Sequence, residues 1–167
     1  MKTNIKTEKA IFASGCFWGT QHHFDKHEGV ISTLVGYTGG TSENPTYEEV
    51  STDSTGHREA IEIVFDPTRT SYESLTKLFF ETHNFSQPNG QGPDIGERYT
   101  SAVYYMNEKQ KEIAEKLVTE LESKNLTVTT KILATLPFYP AEEHHQKYYE
   151  KTGGAPYCHV YIKRFND

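Results

Sequence analysis

Ala10-Ile11-Phe12-Ala13 runs through Ser14 into Gly15-Cys16-Phe17-Trp18-Gly19. The apolar run reads as the end of a buried strand, and Phe17 to His27 reads as a helix stopped by Gly29. Cys16 then lies on a strand-to-helix turn at a helix N-terminus. Unpaired N–H groups and the positive dipole end there favour a thiolate. The flanking glycines permit a tight turn and close approach of another molecule. Phe17 and Trp18 can wall a small apolar pocket beside the thiol. The bland alternative is a small buried cysteine packed among core aromatics.

Outward from this stretch, Val30 to Val35 reads as a strand, broken by Gly36-Tyr37-Thr38-Gly39-Gly40. Thr41 to Gly56 is polar and turn-rich and reads as a long loop, of a length that commonly carries function. His57 to Phe65 alternates. Glu59 falls on the more apolar face with Ile61, Ile63 and Phe65, while Glu62 points the other way. A carboxyl on a buried face has a raised pKa and can serve as a general acid near neutral pH. The alternative is a strand-end glutamate, solvated or paired with a lysine.

Beyond Asp66-Pro67, Thr70-Ser71-Tyr72-Glu73 has the spacing of a capping box and opens a helix with Tyr72, Leu75, Leu78 and Phe79 on one face. Asn84 to Arg98, rich in glycine and proline, reads as a second long loop, and Tyr99 to Met106 as a strand. A box at Asn107 to Gln110 opens a helix with Ile113, Ala114, Leu117, Val118 and Leu121 at core spacing, ended by Asn125. Thr127 to Thr135 is β-rich, and Pro140 to Glu150 is expected to be a short helix with Pro140 at its first position. The order predicts an α/β (α+β) fold. It is expected to be a two-layer sandwich of a mixed sheet with packed helices and a ferredoxin-like core, one domain over residues 1–167.

The composition narrows the function classes. A net charge of −6 argues against a nucleic-acid or anionic-membrane surface. No apolar stretch approaches transmembrane length, and the N-terminus lacks the apolar run of a signal peptide, so the expected compartment is the cytoplasm. Two distant cysteines, Cys16 and Cys158, do not make a disulfide framework.

Three chemistries suit the clusters. Cys16, His22, His23 and His27 are mixed metal ligands on paper, but the chain has no C-x-x-C and solvated helix histidines account for them. His144 and His145, adjacent on the expected last helix, would point about 100° apart and not share a site. A Cys16–His pair would serve acyl transfer, though no feature selects the histidine. Thiol redox chemistry needs a nucleophilic thiol, a proton donor and a second thiol; Cys16, Glu59 and Cys158 supply these types. Cys158 follows Gly153-Gly154-Ala155-Pro156, a segment that lets a distant thiol reach Cys16. An inert, packed Cys158 is the alternative.

Gly15-Cys16-Phe17-Trp18-Gly19 resembles the signature of the peptide methionine sulfoxide reductase A family, the type specific for the S epimer. Further stretches resemble the family in order: Gly36 to Gly40, Asn44-Pro45-Thr46-Tyr47 with Val50, Thr55-Gly56-His57-Arg58-Glu59, Gln91-Gly92-Pro93-Asp94-Ile95-Gly96 with Tyr99 and Ser101, and Ala141-Glu142 with His145-Gln146 and Tyr148. The resemblance implies that Cys16 attacks the sulfoxide sulfur and Glu59 protonates its oxygen. It implies that Tyr47 and Tyr99 hydrogen-bond that oxygen, that Phe17 and Trp18 hold the methyl group, and that Asp94 orients the site. It further implies a sulfenic acid on Cys16, resolved by Cys158 as a disulfide that thioredoxin reduces. Substrates would be oxidised proteins or free methionine sulfoxide, with no cofactor or metal, and the enzyme a monomer. Thr100 departs from the family, which usually has arginine after the tyrosine; His83-Asn84-Phe85-Ser86 departs from its H-D-P-T. The third cysteine of a C-terminal extension and the companion R-epimer domain of some members are not seen in this sequence.

Overall fold

The computed structural model describes residues 6–153 and 161–165. Strand β1 (Glu8–Ser14) leads into helix α1 (Phe17–Asp25), strand β2 (Val30–Thr38), helix α2 (Tyr47–Ser51), strand β3 (Arg58–Phe65) and helix α3 (Tyr72–Glu81). A small hairpin of β4 (Gly90–Gln91) and β5 (Asp94–Ile95) and a 3-10 turn (Glu97–Tyr99) precede β6 (Ser101–Tyr105) and helix α4 (Glu108–Ser123). Strands β7 (Lys131–Ala134) and β8 (Phe138–Pro140), a 3-10 turn (Glu143–His145) and helix α5 (Tyr148–Thr152) complete the order.

The main sheet has the order β7-β6-β1-β3-β2-β8. Every pair in it is antiparallel except β6 with β7. This is the mixed sheet with packed helices that the pattern predicted. Period-2 alternation sorts the strands into two faces. Ala10, Phe12, Val35, Ile61, Ile63, Phe65 and Val103 form one core with Phe24 of α1, Leu75 and Phe79 of α3 and Leu117 of α4. Ile11, Ala13, Ala60, Ala102 and Tyr104 form a smaller cluster on the opposite face, with Leu133 and Phe138 against it. No helix among the described residues is long and apolar enough to cross a membrane.

Several elements differ from the sequence expectation. Strand β2 runs through Gly36, Tyr37 and Thr38 instead of breaking there, because β3 and β8 pair with it on both sides. Gly36 is needed because a Cβ would collide with the Tyr139 carbonyl of β8. The loop after Thr41 contains α2, opened by a reciprocal capping box between Thr46 and Glu49. The cap of α3 is Ser71, whose hydroxyl accepts from Ser74 N–H; Thr70 lies outside the helix. Tyr99 belongs to the 3-10 turn, and β6 starts at Ser101. Pro140 closes β8 against Gly36 and opens no helix. An edge strand tolerates a proline because its missing N–H need not face a neighbour.

Phe12 is the centre of the larger core, with ring centroids 5.6 Å from Phe24, 5.9 Å from Tyr72 and 4.9 Å from Phe79. Phe12→Ala is expected to cost about 3–5 kcal/mol in urea unfolding, since three packed rings cannot collapse into the space. A loss within about 0.5 kcal/mol, the size of a surface substitution, would contradict this packing.

Candidate active site

Cys16 sits between β1 and α1, as expected, at the N-cap of the nine-residue helix α1. It is 8% exposed. Gly15 takes φ +93°, and a Cβ there would run into the Gln91 side chain. Gln91 is itself fixed by the backbone of Asn84, accepting from its N–H at 2.8 Å and donating to its carbonyl at 2.5 Å. The turn is therefore clamped between the sheet and the β4–β5 hairpin, and only glycine fits at its first position.

Glu59 comes from β3, opposite Tyr37 in register, and is 2% exposed. Its Oε1 accepts from the Phe17 N–H at 3.3 Å. That N–H is one of the unpaired donors of the first turn of α1, adjacent in chain to Cys16. Burial pushes the carboxyl up to about 8, against the opposing pull of the Phe17 N–H and the Arg98 guanidinium. The charges of Asp94 and Asp53 push in the same direction as burial. Glu59 therefore keeps its proton at neutral pH, next to the thiol-bearing turn.

Two tyrosines lie within reach of the charge of the same carboxyl. Tyr47 of α2 is raised by burial and by the charges of Glu59 and Cys16, and its hydroxyl pairs with Tyr99. Tyr99 of the 3-10 turn is raised by burial and by Glu59. Both are neutral donors in any physiological buffer. Glu142 secures this wall: its Oε2 accepts from Tyr47 N–H at 3.1 Å and its Oε1 from the Tyr37 hydroxyl at 3.0 Å. Asp94 lies half-buried on β5, where its charge reaches Glu59.

The apolar side is built from α1 and the C-terminal segment. The Phe17 ring centroid lies 5.7 Å from Tyr37 and 5.5 Å from His145. Trp18 donates Nε1–H to His145 Nδ1 at 3.1 Å and stacks on Tyr148 at 3.8 Å. An indole nitrogen only donates, so Nδ1 of His145 carries no proton. Burial lowers the pKa of His145 and keeps the ring neutral. His145 is 3% exposed, in a 3-10 turn where its ring centroid lies 4.0 Å from that of His144. The expected helix, and with it the argument for setting His145 aside, does not hold.

The structure thus gathers Cys16, Phe17, Trp18, Tyr47, Glu59 and Tyr99, with Asp94 at the edge. Cys158 lies outside the described residues. Sequence reasoning missed Arg98, Asp53, Glu142 and His145. Glu142 and His145 stood in a recognisable motif, but nothing local assigned them partners. Among the described residues no group of three or more His, Cys, Asp or Glu side chains is arranged to hold a metal. The buried histidines have other work. His57 holds Gly40 N–H and Ser42 O, His83 holds Phe79 O and Ser101, and His145 holds Trp18.

A sequence model of the peptide methionine sulfoxide reductase family matches residues 8–167. Peptide methionine sulfoxide reductase MsrA of Methanococcoides burtonii is 47% identical over 147 residues, covering 86% of this chain and 96% of the relative. The crystal structure of reduced Mxr1 from Saccharomyces cerevisiae superposes with a TM-score of 0.89 at 28% identity, covering 99% of this chain and 96% of that one. Mxr1 crystallised in complex with Trx2 shares the fold, with a TM-score of 0.64 at 21% identity over 96% and 94% of the two chains.

The raised carboxyl has a thermodynamic signature. Between its ordinary value of 4.5 and about 8, Glu59 is ionised in the unfolded chain and protonated in the folded one. The folded state then binds the extra proton, so this group makes stability fall as pH rises through that window. E59Q removes the term. Its stability relative to wild type is expected to rise with pH across the window, by up to about 1.4 kcal/mol per unit, in urea titrations at several pH values. A difference that stays constant from end to end would contradict the buried, protonated carboxyl.

Proposed function

The chain belongs to the peptide methionine sulfoxide reductase family and is an oxidoreductase that reduces methionine sulfoxide, and from that premise we propose how its own residues perform the reaction. Cys16 attacks the sulfoxide sulfur. Glu59 delivers a proton to the oxygen, while the Tyr47 and Tyr99 hydroxyls hydrogen-bond it as the S–O bond weakens. The bond formed between Cys16 and the substrate sulfur then breaks as the oxygen, released as water, adds to the Cys16 sulfur, and the substrate sulfur leaves with the two electrons as methionine. The oxygen remains on Cys16 as a sulfenic acid, so the cysteine sulfur is oxidised by the same two electrons. Cys158 then displaces water from the sulfenic acid to give a Cys16–Cys158 disulfide. A thioredoxin dithiol reduces that disulfide by exchange and restores both thiols.

The observation that carries this reading is the hydrogen bond from Phe17 N–H to Glu59 Oε1, which ties a carboxyl still protonated near neutral pH to the residue after the thiol. Thiolate attack expels oxygen only if that oxygen is protonated in the transition state. An exposed glutamate would already have lost its proton at pH 7.

Substrate handedness follows from the same arrangement. The sulfur faces Cys16, the oxygen faces Glu59 and the two tyrosines, and the methyl group lies against Phe17 and Trp18. With three substituents assigned, the rest of the side chain leaves in one direction, which selects one epimer; the family resemblance implies that it is the S form. Asp94 helps orient the site. Both free and protein-bound methionine sulfoxide can enter an arrangement that reads only the sulfoxide and its methyl group. The enzyme works as a cytoplasmic monomer. For thioredoxin as reductant, the support is the family resemblance together with the Trx2 complex of Mxr1, a protein of the same fold.

With dithiothreitol as reductant and each sulfoxide epimer supplied separately, wild type is expected to consume only the S form. C16S is expected to form no methionine. E59Q should slow the reductase step about 10²–10⁴-fold near neutral pH, the usual contribution of a general acid. Retained turnover in C16S would overturn the assignment, and an E59Q rate equal to wild type would move the proton donor elsewhere.

A further inference from the structure

Arginine stands before Tyr99 and threonine after it: Arg98 lies in the 3-10 turn, and Thr100 follows. The Arg98 side chain is only 17% exposed. Its Nη1 donates to the Ser51 carbonyl at 2.7 Å and to Asp53 Oδ2 at 3.0 Å, and its guanidinium carbon lies 4.4 Å from the Tyr99 ring centroid. The opposite edge is different. Arg98 Nε is buried and has no hydrogen-bond acceptor among the described residues. It lies 4.0 Å from Glu59 Oε2, beyond hydrogen-bond range.

A buried guanidinium N–H without an acceptor is costly, and arginine cannot shed the charge. The cost is understandable if the acceptor forms during the reaction. A neutral carboxyl attracts the guanidinium weakly; a carboxylate attracts it by full charge in a site of low polarity. We propose that Arg98 is a positioning residue for the reductase step, whose Nε–H closes on Glu59 Oε2 as Glu59 gives its proton to the sulfoxide oxygen, and so stabilises the carboxylate left behind. The inference rests on the reading of Glu59 as the proton donor. The proton leaves Glu59 for the oxygen, and Glu59 is reprotonated from water once methionine has gone.

Asp53 has the complementary part. It holds the far edge of Arg98, and its own charge opposes ionisation of Glu59. Both effects keep the resting acid protonated. The groups facing Glu59 are Arg98, Tyr99, Asp94, Asp53, Tyr47, Tyr37 and the Phe17 N–H, with Cys16 acting on Tyr47 beside them. Among those facing groups Arg98 is the cation, so its removal acts on Glu59 opposite in sign to the removal of Asp53.

The test is the rate of the reductase step in a single turnover with methionine S-sulfoxide, followed from about pH 6 to pH 10. The wild-type rate is expected to fall on the alkaline side as Glu59 ionises. R98Q should move that limb up by about one unit and lower the rate below it about tenfold, one unit corresponding to a tenfold change in the equilibrium. D53N should move the limb down, and R98K should return it toward wild type. R98Q and D53N break the same Arg98–Asp53 contact, so mere loosening of the loop would shift both in one direction. A common shift, or an unmoved limb in R98Q, overturns the inference. Should R98Q fail to fold, R98K carries the test: it keeps the charge but not the Nε–H, so the limb is expected near wild type with the rate below it still reduced, and a wild-type rate there would overturn the inference. E59Q separates this inference from its premise. Loss of the limb in E59Q leaves the premise standing whatever R98Q does, and a limb that persists in E59Q removes the premise itself.

Discussion

A single backbone N–H joins the two halves of the proposed chemistry. Phe17 N–H, left without a helical partner at the start of α1, donates to Glu59 Oε1 in the middle of the sheet. Every other feature of the site depends on that bond being possible. β1 must end at the turn, α1 must begin at Cys16, and β3 must lie directly beside β1, as their antiparallel register places it. The carboxyl is thereby delivered to the thiol-bearing turn without either residue lying on a long loop. β1, α1 and β3 hold these two groups, and the short helix α2 and the 3-10 turn before β6 supply Tyr47 and Tyr99.

The same bond defines an electrostatic compromise. Burying Glu59 makes it an acid at neutral pH, but a buried carboxyl is destabilising to the fold once the solution would ionise it. The surrounding groups hold it near the working range. Phe17 N–H and Arg98 favour the carboxylate, while Asp53, Asp94 and burial favour the acid. The site is therefore tuned by opposed charges, and small changes around it move the balance in a calculable direction. On the apolar side the constraint is steric. Trp18 is held by a hydrogen bond to His145 and by the stacked Tyr148 ring, so the apolar wall beside the thiol rests on residues more than a hundred positions away in the chain.

How much of this was legible in the sequence follows from range. The strand-to-helix turn at Cys16, the burial of Glu59 and the core faces of α3 and α4 are local patterns, readable from alternation, helical spacing and caps. The extension of β2 through Gly36 to Thr38 was not readable, because β8 pairs with it from a hundred residues away and glycine there answers a close approach, not a turn. Helix α2 was hidden in a polar loop, although its Thr46–Glu49 box was present in the sequence. Glu142, His145 and Arg98 carry no local signal of their roles. Their partners are Tyr37 and Tyr47, Trp18, and Glu59 with Asp53, all brought to them by the tertiary fold. Motif resemblance marked the stretch holding Glu142 and His145, but it could not say what they touch.

The central claim is that Cys16 takes oxygen from the sulfoxide and Cys158 closes the cycle. It is tested most directly by mixing the fully reduced protein with methionine S-sulfoxide and no reductant, then counting methionine formed and thiols remaining. The account predicts one methionine per chain and the loss of both thiols to a Cys16–Cys158 disulfide. No methionine, with both thiols intact, would contradict it.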